Sequence, residues 1–349
     1  MRELIHKLYQ TQTLEREELI FLISERDEET ERYARDLARK VREEVYGNRI
    51  FIRGLIEFTN YCKNDCYYCG IRRSNKNAAR YRLTKEDILH CCRQGYDLGF
   101  RTFVLQGGED GYFTKERLAN LIYEIKETYP DCALTLSVGE KSEAEYRAFH
   151  EAGADRYLLR HETADKDHYR ILHPEPLSLE NRKHCLETLK KIGFQTGAGF
   201  MVGSPGQTPE TLAEDFLFLK NLDPEMVGIG PFISHGDTPF RDKADGTLED
   251  TLFYLALLRL MLPNVLLPAT TALGTIHPSG RELGILSGAN VVMPNLSPRE
   301  NRKKYLLYDD KLGTGEESGE GVELLRQQMK QIGYEVVTDR GDYREKERG

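Results

Sequence analysis

The feature that most constrains this chain is a regular alternation of short apolar runs with amphipathic segments. The short runs are rich in β-branched and aromatic residues, and the segments between them carry apolar residues at helical spacing. Strands that alternate with helices predict repeated β-α units around a parallel sheet. Eight such units favour, within the α/β class, a closed (β/α)8 TIM-type barrel over an open doubly wound sheet. The eight predicted strands are residues 49–58, 101–106, 133–138, 156–160, 194–202, 226–232, 264–270 and 289–294.

The 349 residues divide into three predicted parts. Residues 1–48 form an N-terminal helical segment, in which Gly47 suits the end of a helix. Residues 49–310 form the barrel. Residues 311–349 form a short C-terminal extension, a helix followed by a charged tail that we expect to be frayed.

Polar and glycine-rich clusters follow every predicted strand, from "TNYCKNDCYYCG" after the first run to "PNLSP" after the eighth. In a barrel the carboxyl ends of all strands share one rim, and active sites lie there. Scattered polar loops would be the ordinary expectation. The placement of these clusters therefore predicts one large site on that rim.

The first of these clusters, "NYCKNDCYYCGIRR" at residues 60–73, contains three cysteines with the spacing C-x3-C-x2-C. This spacing matches neither a paired structural zinc site nor a disulfide scaffold. Three thiolates can bind three irons of a [4Fe–4S] cube and leave the fourth iron open. The alternative is zinc, which would need a fourth ligand from a histidine or from another cysteine. The three candidate ligands are Cys62, Cys66 and Cys69; the cysteines predicted to be packing residues are Cys91, Cys92, Cys132 and Cys185.

Composition excludes several classes of protein. Hydrophobic residues make up 39% of the chain and charged residues 30%, which allows a sizeable core. The formal net charge of −8 argues against a general nucleic-acid binder. No apolar run approaches the roughly 20 residues of a membrane span, and the start lacks a signal peptide, so we expect a cytoplasmic protein with reduced thiols. The basic stretches 72–82 and 299–304 are interpreted as solvated surface that could bind an anion locally.

With its cysteine triplet after the first strand and an aromatic residue, Tyr68, before the last cysteine, the chain resembles the radical S-adenosylmethionine (SAM) superfamily. The stretch "QGGED" at 106–110, after the second strand, resembles the motif of that family that holds the SAM amine. The resemblance implies a [4Fe–4S] cluster, SAM as cofactor and a low-potential electron donor. It also implies reductive cleavage of SAM to methionine and a 5′-deoxyadenosyl radical.

The resemblance assigns SAM contacts residue by residue. Glu162 of "RHETA" and Arg182 of "ENRKHC" match contacts to the ribose region and to the carboxylate of SAM. Without the resemblance, Arg182 would be taken as a helix-surface residue. The glycine-rich segment 197–208 resembles a part of the family that passes close to the adenosyl group. The predicted cofactor-binding residues are Tyr68, Gln106, Gly107, Gly108, Glu109, Ser137, Glu162, Arg182 and Met201.

Further stretches, among them "RYLLRHETAD", "MVGIGPFISHGDTP" and "LPATTALGTI", resemble the HydE family of [FeFe]-hydrogenase maturases from about residue 50 to 310. The resemblance implies a small organometallic substrate that carries iron, cysteine, carbon monoxide and cyanide, on the route to the hydrogenase H-cluster. It implies HydG and HydF as partners. No cysteine follows Cys185, so the accessory cluster of some family members is not expected in the segment 309–321. Two alternatives stay open: an enzyme of the methylornithine synthase and biotin synthase subgroup, and a non-catalytic metal-binding barrel.

Two arginines on one predicted strand supply a candidate substrate site. Arg156 and Arg160 are four residues apart, so on a strand both would point to the same side. Charged side chains that face a barrel interior are costly unless they are paired or serve an anion. The predicted substrate contacts are Arg156, Arg160, Thr270, Thr271, Met293, Tyr305 and Tyr308.

Overall fold

Three helices precede the barrel in the computed structural model, which describes residues 1–313 and 318–344. They are α1 (Arg2–Thr11), α2 (Arg16–Glu25) and α3 (Glu28–Tyr46). The Asp27 side chain caps α3 by accepting from the backbone N–H of Thr30, and Gly47 ends it with φ +64° as predicted. The apolar face of α3 packs on a helix of the barrel, α10 (Leu248–Met261), and α2 packs on another, α9 (Pro209–Leu222). The N-terminal helices are therefore part of the outer helix layer.

The strands form a parallel barrel sheet. The strands β2, β3, β4, β5, β6 and β8 are hydrogen-bonded in that order, and β10, β1 and β11 form a second sheet beside them. The short strands β7 and β9 pair with each other. The strand bounds are β1 (Arg49–Ile52), β2 (Gly54–Thr59), β3 (Thr102–Gly107), β4 (Ala133–Ser137), β5 (Arg156–Leu158), β6 (Gln195–Ala198), β7 (Met201–Val202), β8 (Met226–Val227), β9 (Gly230–Pro231), β10 (Val291–Val292) and β11 (Glu335–Val337).

Isolated bridges complete the ring between β8 and β2. Met226 bridges to Leu266, Pro268 bridges to Val291, and Asn295 bridges to Leu55 at the start of β2. The predicted run 264–270 contributes only these bridges, because Pro268 has no N–H to donate to a ladder. The predicted α/β barrel is confirmed.

The remaining helices cover the outside of the ring. Most begin at a Ser, Thr or Asp whose side chain accepts a backbone N–H, and Thr84 and Asp87 form a capping box at the start of one of them. None of the helices in the described ranges is long and apolar enough to cross a membrane. The helix bounds are α4 (Lys85–Asp97), α5 (Lys115–Thr128), α6 (Glu143–Glu151), α7 (Lys166–Leu172), α8 (Leu179–Ile192), α9 (Pro209–Leu222), α10 (Leu248–Met261), α11 (Thr271–Ile276), α12 (Gly280–Leu286), α13 (Arg299–Arg302) and α14 (Ser318–Gln331).

The C-terminal extension covers the amino-terminal end of the barrel. After α14 the chain adds β11 to the edge of β1, and residues 340–344 then run beneath the strand starts. Asp342 in this segment forms an ion pair of 2.6 Å with Arg156. Residues 342–344 of the predicted frayed tail are therefore held against the barrel. Residues 345–349 of that tail lie outside the described residues, and so do residues 314–317 of the segment 309–321.

The prediction that Arg156 contacts a substrate is wrong. Arg156 is the first residue of β5, and its fully buried guanidinium binds Thr102, Asp342 and the carbonyl oxygens of Arg340 and Gly341. These partners lie at the amino-terminal end of the strands. The loop with Cys62, Cys66 and Cys69, which we call the cysteine loop (residues 60–73), lies at the opposite end. Arg156 therefore anchors the C-terminal extension.

We predict that this anchor weakens in acid. Partial burial raises the pKa of Asp342, but Arg156 and Arg340 outweigh it and lower that pKa to about 2. A carboxylate whose pKa is lowered on folding stabilises the fold above its unfolded pKa of about 3.9, and the contribution is lost as pH falls toward 2. Asp342→Asn should therefore lower the free energy of unfolding at pH 6, as measured by urea denaturation. The difference from the unchanged protein should shrink below about pH 4; a difference that is constant with pH would contradict the assignment.

Candidate active site

The cysteine loop leaves the carboxyl end of β2 and is held by backbone hydrogen bonds from three directions. The N–H groups of Lys63, Tyr67 and Gly70 donate to the carbonyl oxygens of Glu109 (2.9 Å), Leu172 (3.0 Å) and Leu307 (2.9 Å). Because its backbone groups are satisfied by the barrel, the loop needs no regular secondary structure of its own. The three cysteines on it are each partly exposed.

The turn after β3 supports this loop from below. The N–H of Gly108 donates to the carbonyl oxygen of Thr59 at 3.2 Å. A Cβ at Gly108 would overlap the carbonyl oxygen of Tyr61 and lie 2.8 Å from the Cβ of Cys62. Position 108 therefore requires glycine because the two segments touch. The turn formed by residues 106–109, which we call the QGGE turn, and the cysteine loop form one unit.

The thiols of the loop fit a metal cluster. Burial raises the pKa of Cys62 and raises the pKa of Cys66 to about 12. Burial also raises the pKa of Cys69, and the neighbouring Cys66 and Cys62 thiols add to that rise. Thiolates in such a place need the positive charge of a metal. No three His, Cys, Asp or Glu side chains of the described residues meet closely enough to hold a single ion, whereas a four-iron cube spreads three thiolates over three irons.

The other four cysteines are buried and free. Cys91 and Cys92 lie on the inner face of α4, and all four pack in the main hydrophobic core. Burial raises the pKa of Cys91 and of Cys132 to about 12, so both stay protonated thiols. They are packing residues, as their positions in the sequence suggested.

A chain of ion pairs runs along the rim beside the cysteine loop. Lys63 pairs with Glu109 at 3.0 Å, and the other oxygen of Glu109 accepts the backbone N–H of Glu140 at 3.0 Å. Glu140 in turn pairs with Arg182 at 2.6 Å. Gly139 leaves the room for this contact, because a Cβ there would overlap the Glu109 carboxylate. Glu140 was missed in the sequence because it has no motif of its own.

Arg182 lies in the site and not on the helix surface. Only 8% of the residue is exposed, and its guanidinium donates to the carbonyl oxygen of Arg160 at 3.1 Å. The charge of Arg182 lowers the pKa of the Cys66 thiol against the larger effect of burial. The positive end of Arg182 thus lies near the thiols, where an anionic group of a ligand would be held.

Arg160 and Glu162 follow β5 and form an ion pair of 3.0 Å. Glu162 has φ +66°, an uncommon backbone angle for a residue other than glycine, and its N–H donates to the carbonyl oxygen of Gly199 at 3.0 Å. Burial raises the pKa of Glu162, and the charges of Arg160 and Arg182 oppose that rise. Backbone strain at a buried carboxylate that lies between two guanidinium groups is typical of a functional site.

A buried pair holds this strained segment from behind. His161 lies 3.3 Å from Asp215 on α9, and both side chains are fully buried. Its Nδ1 accepts the N–H of Gly199 at 3.3 Å, and Asp215 accepts the N–H of Ala164 at 2.5 Å. Burial lowers the pKa of His161 and raises the pKa of Asp215, so it disfavours the charged form of both side chains. It is a missed positioning element; its only signal in the sequence was the histidine inside "RHETA".

Aromatic residues line the same rim. The hydroxyl of Tyr68 lies 3.2 Å from Nε2 of His173, whose ring stacks on Tyr169 at 3.9 Å. Tyr68 also packs with Met201 in an apolar cluster that includes Phe232. Tyr68 and Met201 therefore belong to the same apolar cluster on the rim.

The barrel interior below the loop contains a charge pair that the sequence did not reveal. Glu57 on β2 is fully buried, and it pairs with the buried Lys311 and accepts from Asn295 at 2.8 Å. Lys311 also donates to the carbonyl oxygen of Tyr305 at 3.0 Å. This pair fixes the segment that follows α13 across the barrel mouth. It joins residues 254 positions apart, so no local pattern could show it.

The remaining predicted residues lie on several segments of the barrel. Gln106 and Ser137 are in register near the ends of β3 and β4. Burial raises the pKa of Tyr305, and the Gln106 side chain opposes that rise. Thr270 and Thr271 begin α11, and the Thr270 hydroxyl is buried without a hydrogen bond among the described residues. Burial raises the pKa of Tyr308 to about 12. Met293 follows β10 and is partly buried, and its substrate contact stays a prediction. It packs against a small apolar cluster formed by Tyr46, Phe51, Met226, Leu266 and Val291.

Two comparisons identify the class of protein. The sequence model of the radical SAM superfamily matches residues 56–219. The [FeFe] hydrogenase maturase subunit HydE of Thermotoga maritima is 46% identical over 87% of this chain and 87% of that protein. The chain belongs to the radical SAM superfamily, and it is an enzyme of that type.

Two further relatives mark the neighbourhood within the superfamily. The 3-methylornithine synthase of Methanosarcina barkeri is 32% identical over 78% of this chain and 77% of that protein. A crystal structure of methylornithine synthase superposes with a TM-score of 0.85 at 28% identity, covering 96% of this chain and 97% of that one. HydE is thus more similar in sequence than this second group, and the family implies a [4Fe–4S] cluster and SAM.

We predict that Gly108→Ala reduces cluster loading without unfolding the protein. The added Cβ would push the cysteine loop at Tyr61 and Cys62 away from its support. Iron and sulfide content after anaerobic reconstitution should fall well below that of the unchanged protein, while far-ultraviolet circular dichroism should not change. Gly111→Ala is the matched control, because a Cβ at Gly111 meets no atom within 4 Å. Equal iron content in the two variants would contradict the proposed seating of the loop.

Proposed function

We propose that the protein binds a [4Fe–4S] cluster through Cys62, Cys66 and Cys69 and cleaves SAM reductively. When bound, the cluster supplies the electron that breaks a carbon–sulfur bond of SAM, giving methionine and a 5′-deoxyadenosyl radical. The observation that carries the proposal is the contact between the cysteine loop and the Gly108 turn, beside the buried charges of Arg182 and Glu162. This arrangement supports the proposal, because it would offer acceptors and donors to a zwitterionic ligand near three thiols.

Each residue that we assign to SAM binding has a separate part in this proposal. The turn at Gly107 and Gly108 and the carboxylate of Glu109 would hold the amine of SAM. Arg182 would hold the carboxylate, since a guanidinium binds a carboxylate through charge-assisted hydrogen bonds. Glu162 would accept from the ribose hydroxyls. The neighbours proposed for the adenosyl group are Tyr68, Gln106, Ser137 and Met201.

Variants should separate cluster binding from SAM binding. Cys66→Ala should abolish the cluster signal and the formation of 5′-deoxyadenosine under anaerobic reducing conditions, because one iron loses its ligand. Glu162→Gln should keep the cluster and weaken SAM binding by about one to two decades, as expected for a lost charged hydrogen bond. Iron analysis, liquid chromatography of the products and SAM titration measure the three effects.

Two matched controls belong to this experiment. Cys92→Ala removes a thiol from the core, and Glu175→Gln neutralises an exposed carboxylate away from β5. Both should keep cluster and SAM cleavage. A stable cluster in the Cys66→Ala protein would refute the ligand assignment, and unchanged SAM affinity in Glu162→Gln would refute the SAM contact.

For the substrate we propose a step of [FeFe]-hydrogenase maturation, on a small iron complex that carries cysteine, carbon monoxide and cyanide. Similarity to HydE over 87% of the chain supports this proposal. The site adds a physical reason. Nη2 of Arg160 is paired with Glu162, but its Nε and the hydroxyl of Thr270 are buried and form no hydrogen bond among the described residues. Cyanide, carboxylate and thiolate groups are acceptors that such donors would satisfy.

Further residues would complete this substrate site. We propose that Thr271, Tyr305 and Tyr308 line it, because they lie on the segments that border Thr270 and the barrel mouth. HydG and the scaffold protein HydF would act before and after this step.

We predict that Arg160→Lys impairs maturation of an apo-hydrogenase while SAM cleavage persists. Lysine keeps the positive charge that pairs with Glu162, but it lacks the planar guanidinium fork. Hydrogenase activity after in vitro maturation should fall about tenfold or more, the cost of one charge-assisted donor. Arg170→Lys on the exposed face of α7 is the control. Equal loss of maturation and of SAM cleavage would instead place Arg160 in the SAM site alone, and formation of 3-methylornithine by the protein would exclude the maturase role.

A further inference from the structure

The two basic stretches of the sequence meet on one face of the molecule. Residues 60–85 carry seven Lys or Arg and a single Asp, in a chain whose net charge is −8. The second stretch, residues 299–304, joins the first because the side chain of Asn60 donates to the carbonyl oxygen of Lys304 at 2.7 Å. Arg73, Lys76 and Lys303 are exposed there. Lys63 and Arg82 pair with Glu109 and Asp110, so the positive charge of this face comes mainly from the exposed Arg73, Lys76 and Lys303, although the protein as a whole is negative.

Exposed aromatic rings alternate with guanidinium groups on this face. Arg82 lies over the rings of Tyr61 (3.9 Å) and Tyr112 (4.9 Å), and Arg117 lies over Tyr112 at 4.2 Å. Tyr61 and Tyr112 are among the few large exposed hydrophobic residues of the described chain. Tyr and Arg are the residue types that dominate binding energy at protein interfaces.

This face borders the candidate cluster ligand Cys62. Tyr61 and Lys63, on either side of Cys62, are both exposed, and the side chain of Lys63 is 65% exposed. Arg73 is close by, since its N–H donates to the carbonyl oxygen of Asn64 at 2.8 Å. A protein that docks here would lie directly outside the thiols. We call the face formed by Tyr61, Lys63, Arg73, Lys76, Arg82, Tyr112 and Lys303 the basic face.

We propose that the basic face docks a small acidic iron–sulfur electron-transfer protein. The inference rests on the proposed function, which consumes one electron for each SAM cleaved. The carrier is oxidised by one electron and the cluster on the cysteine loop is reduced by one. Charge complementarity selects an acidic partner, and it steers such a partner to the side from which the electron path to Cys62 is short.

Charge reversal on this face tests the proposal. The variant is Arg73→Glu/Lys76→Glu, two exposed residues outside the proposed ligand and SAM contacts. The control is Arg32→Glu/Lys330→Glu, which makes the same charge change on exposed residues of α3 and α14. An acidic bacterial ferredoxin is the probe; its binding to the reconstituted protein is measured by calorimetry, and its rate of driving 5′-deoxyadenosine formation is compared with that of dithionite.

At low salt the basic-face variant should bind ferredoxin about tenfold or more weakly and lose a similar factor in the ferredoxin-driven rate, while the control should match the unchanged protein. Raising the salt concentration should reduce the difference, because exposed charges are screened. Equal ferredoxin affinity in both variants, no measurable ferredoxin binding, or weaker binding with an unchanged ferredoxin-driven rate would overturn the proposal. If dithionite drives no 5′-deoxyadenosine formation in the unchanged protein, the proposed function is overturned. The calorimetric measurement of ferredoxin binding would still decide whether the basic face is a docking site.

Discussion

The site depends on the hydrogen-bond register between β2 and β3. The ladder sets Thr59 opposite Gly107, and one further bond from the N–H of Gly108 to Thr59 brings the turn after β3 beneath the loop after β2. In a parallel sheet, neighbouring strands end at the same edge, so two loops far apart in sequence start side by side. A shift by one residue would turn the side chains of β2 to the other face and would separate the thiols from the QGGE turn. Gly108 makes the contact possible because it has no Cβ to hold the two backbones apart.

Buried charge is placed differently at the two ends of the barrel, and β5 shows why. Arg156 begins the strand and is satisfied by the C-terminal segment, which closes the amino-terminal end. Arg160 comes after the strand has ended and pairs with Glu162 on the rim. An isolated buried charge is costly, so each guanidinium has a partner. Residues of the C-terminal segment satisfy Arg156, whereas the buried Nε of Arg160 forms no hydrogen bond among the described residues. This difference separates a structural arginine from one that is free to serve a ligand.

The same strand, β5, shows how much of the structure could be predicted from the sequence. Repeated apolar runs and polar clusters predicted the barrel and the rim, because both depend on local periodicity. The expectation that Arg156 and Arg160 share one side assumed a strand of five residues, but β5 spans only Arg156–Leu158. Alternation holds only within a strand, so it says nothing about Arg160. The pairs of Arg156 with Asp342 and of Glu57 with Lys311 join residues 186 and 254 positions apart. Such pairs follow from the closed ring and from the path of the C-terminal segment, which no local pattern records.

The segments that cover the two ends of the barrel also determine from which side the site can be reached. Residues 340–344 bind the strand starts, so the amino-terminal end is covered by the protein's own chain. At the other end, the segment after α13 is anchored into the interior by Lys311 and Glu57 and touches the cysteine loop at Gly70. Gly70 has no room for a Cβ, because the carbonyl oxygen of Leu306 and the ring of His235 occupy that space. The cysteine loop is therefore held by this segment at Gly70, whereas its residues Tyr61 and Lys63 are exposed on the basic face. Under the two proposals above, a small ligand would enter at the barrel mouth and the electron at the basic face, so the two paths would be separate.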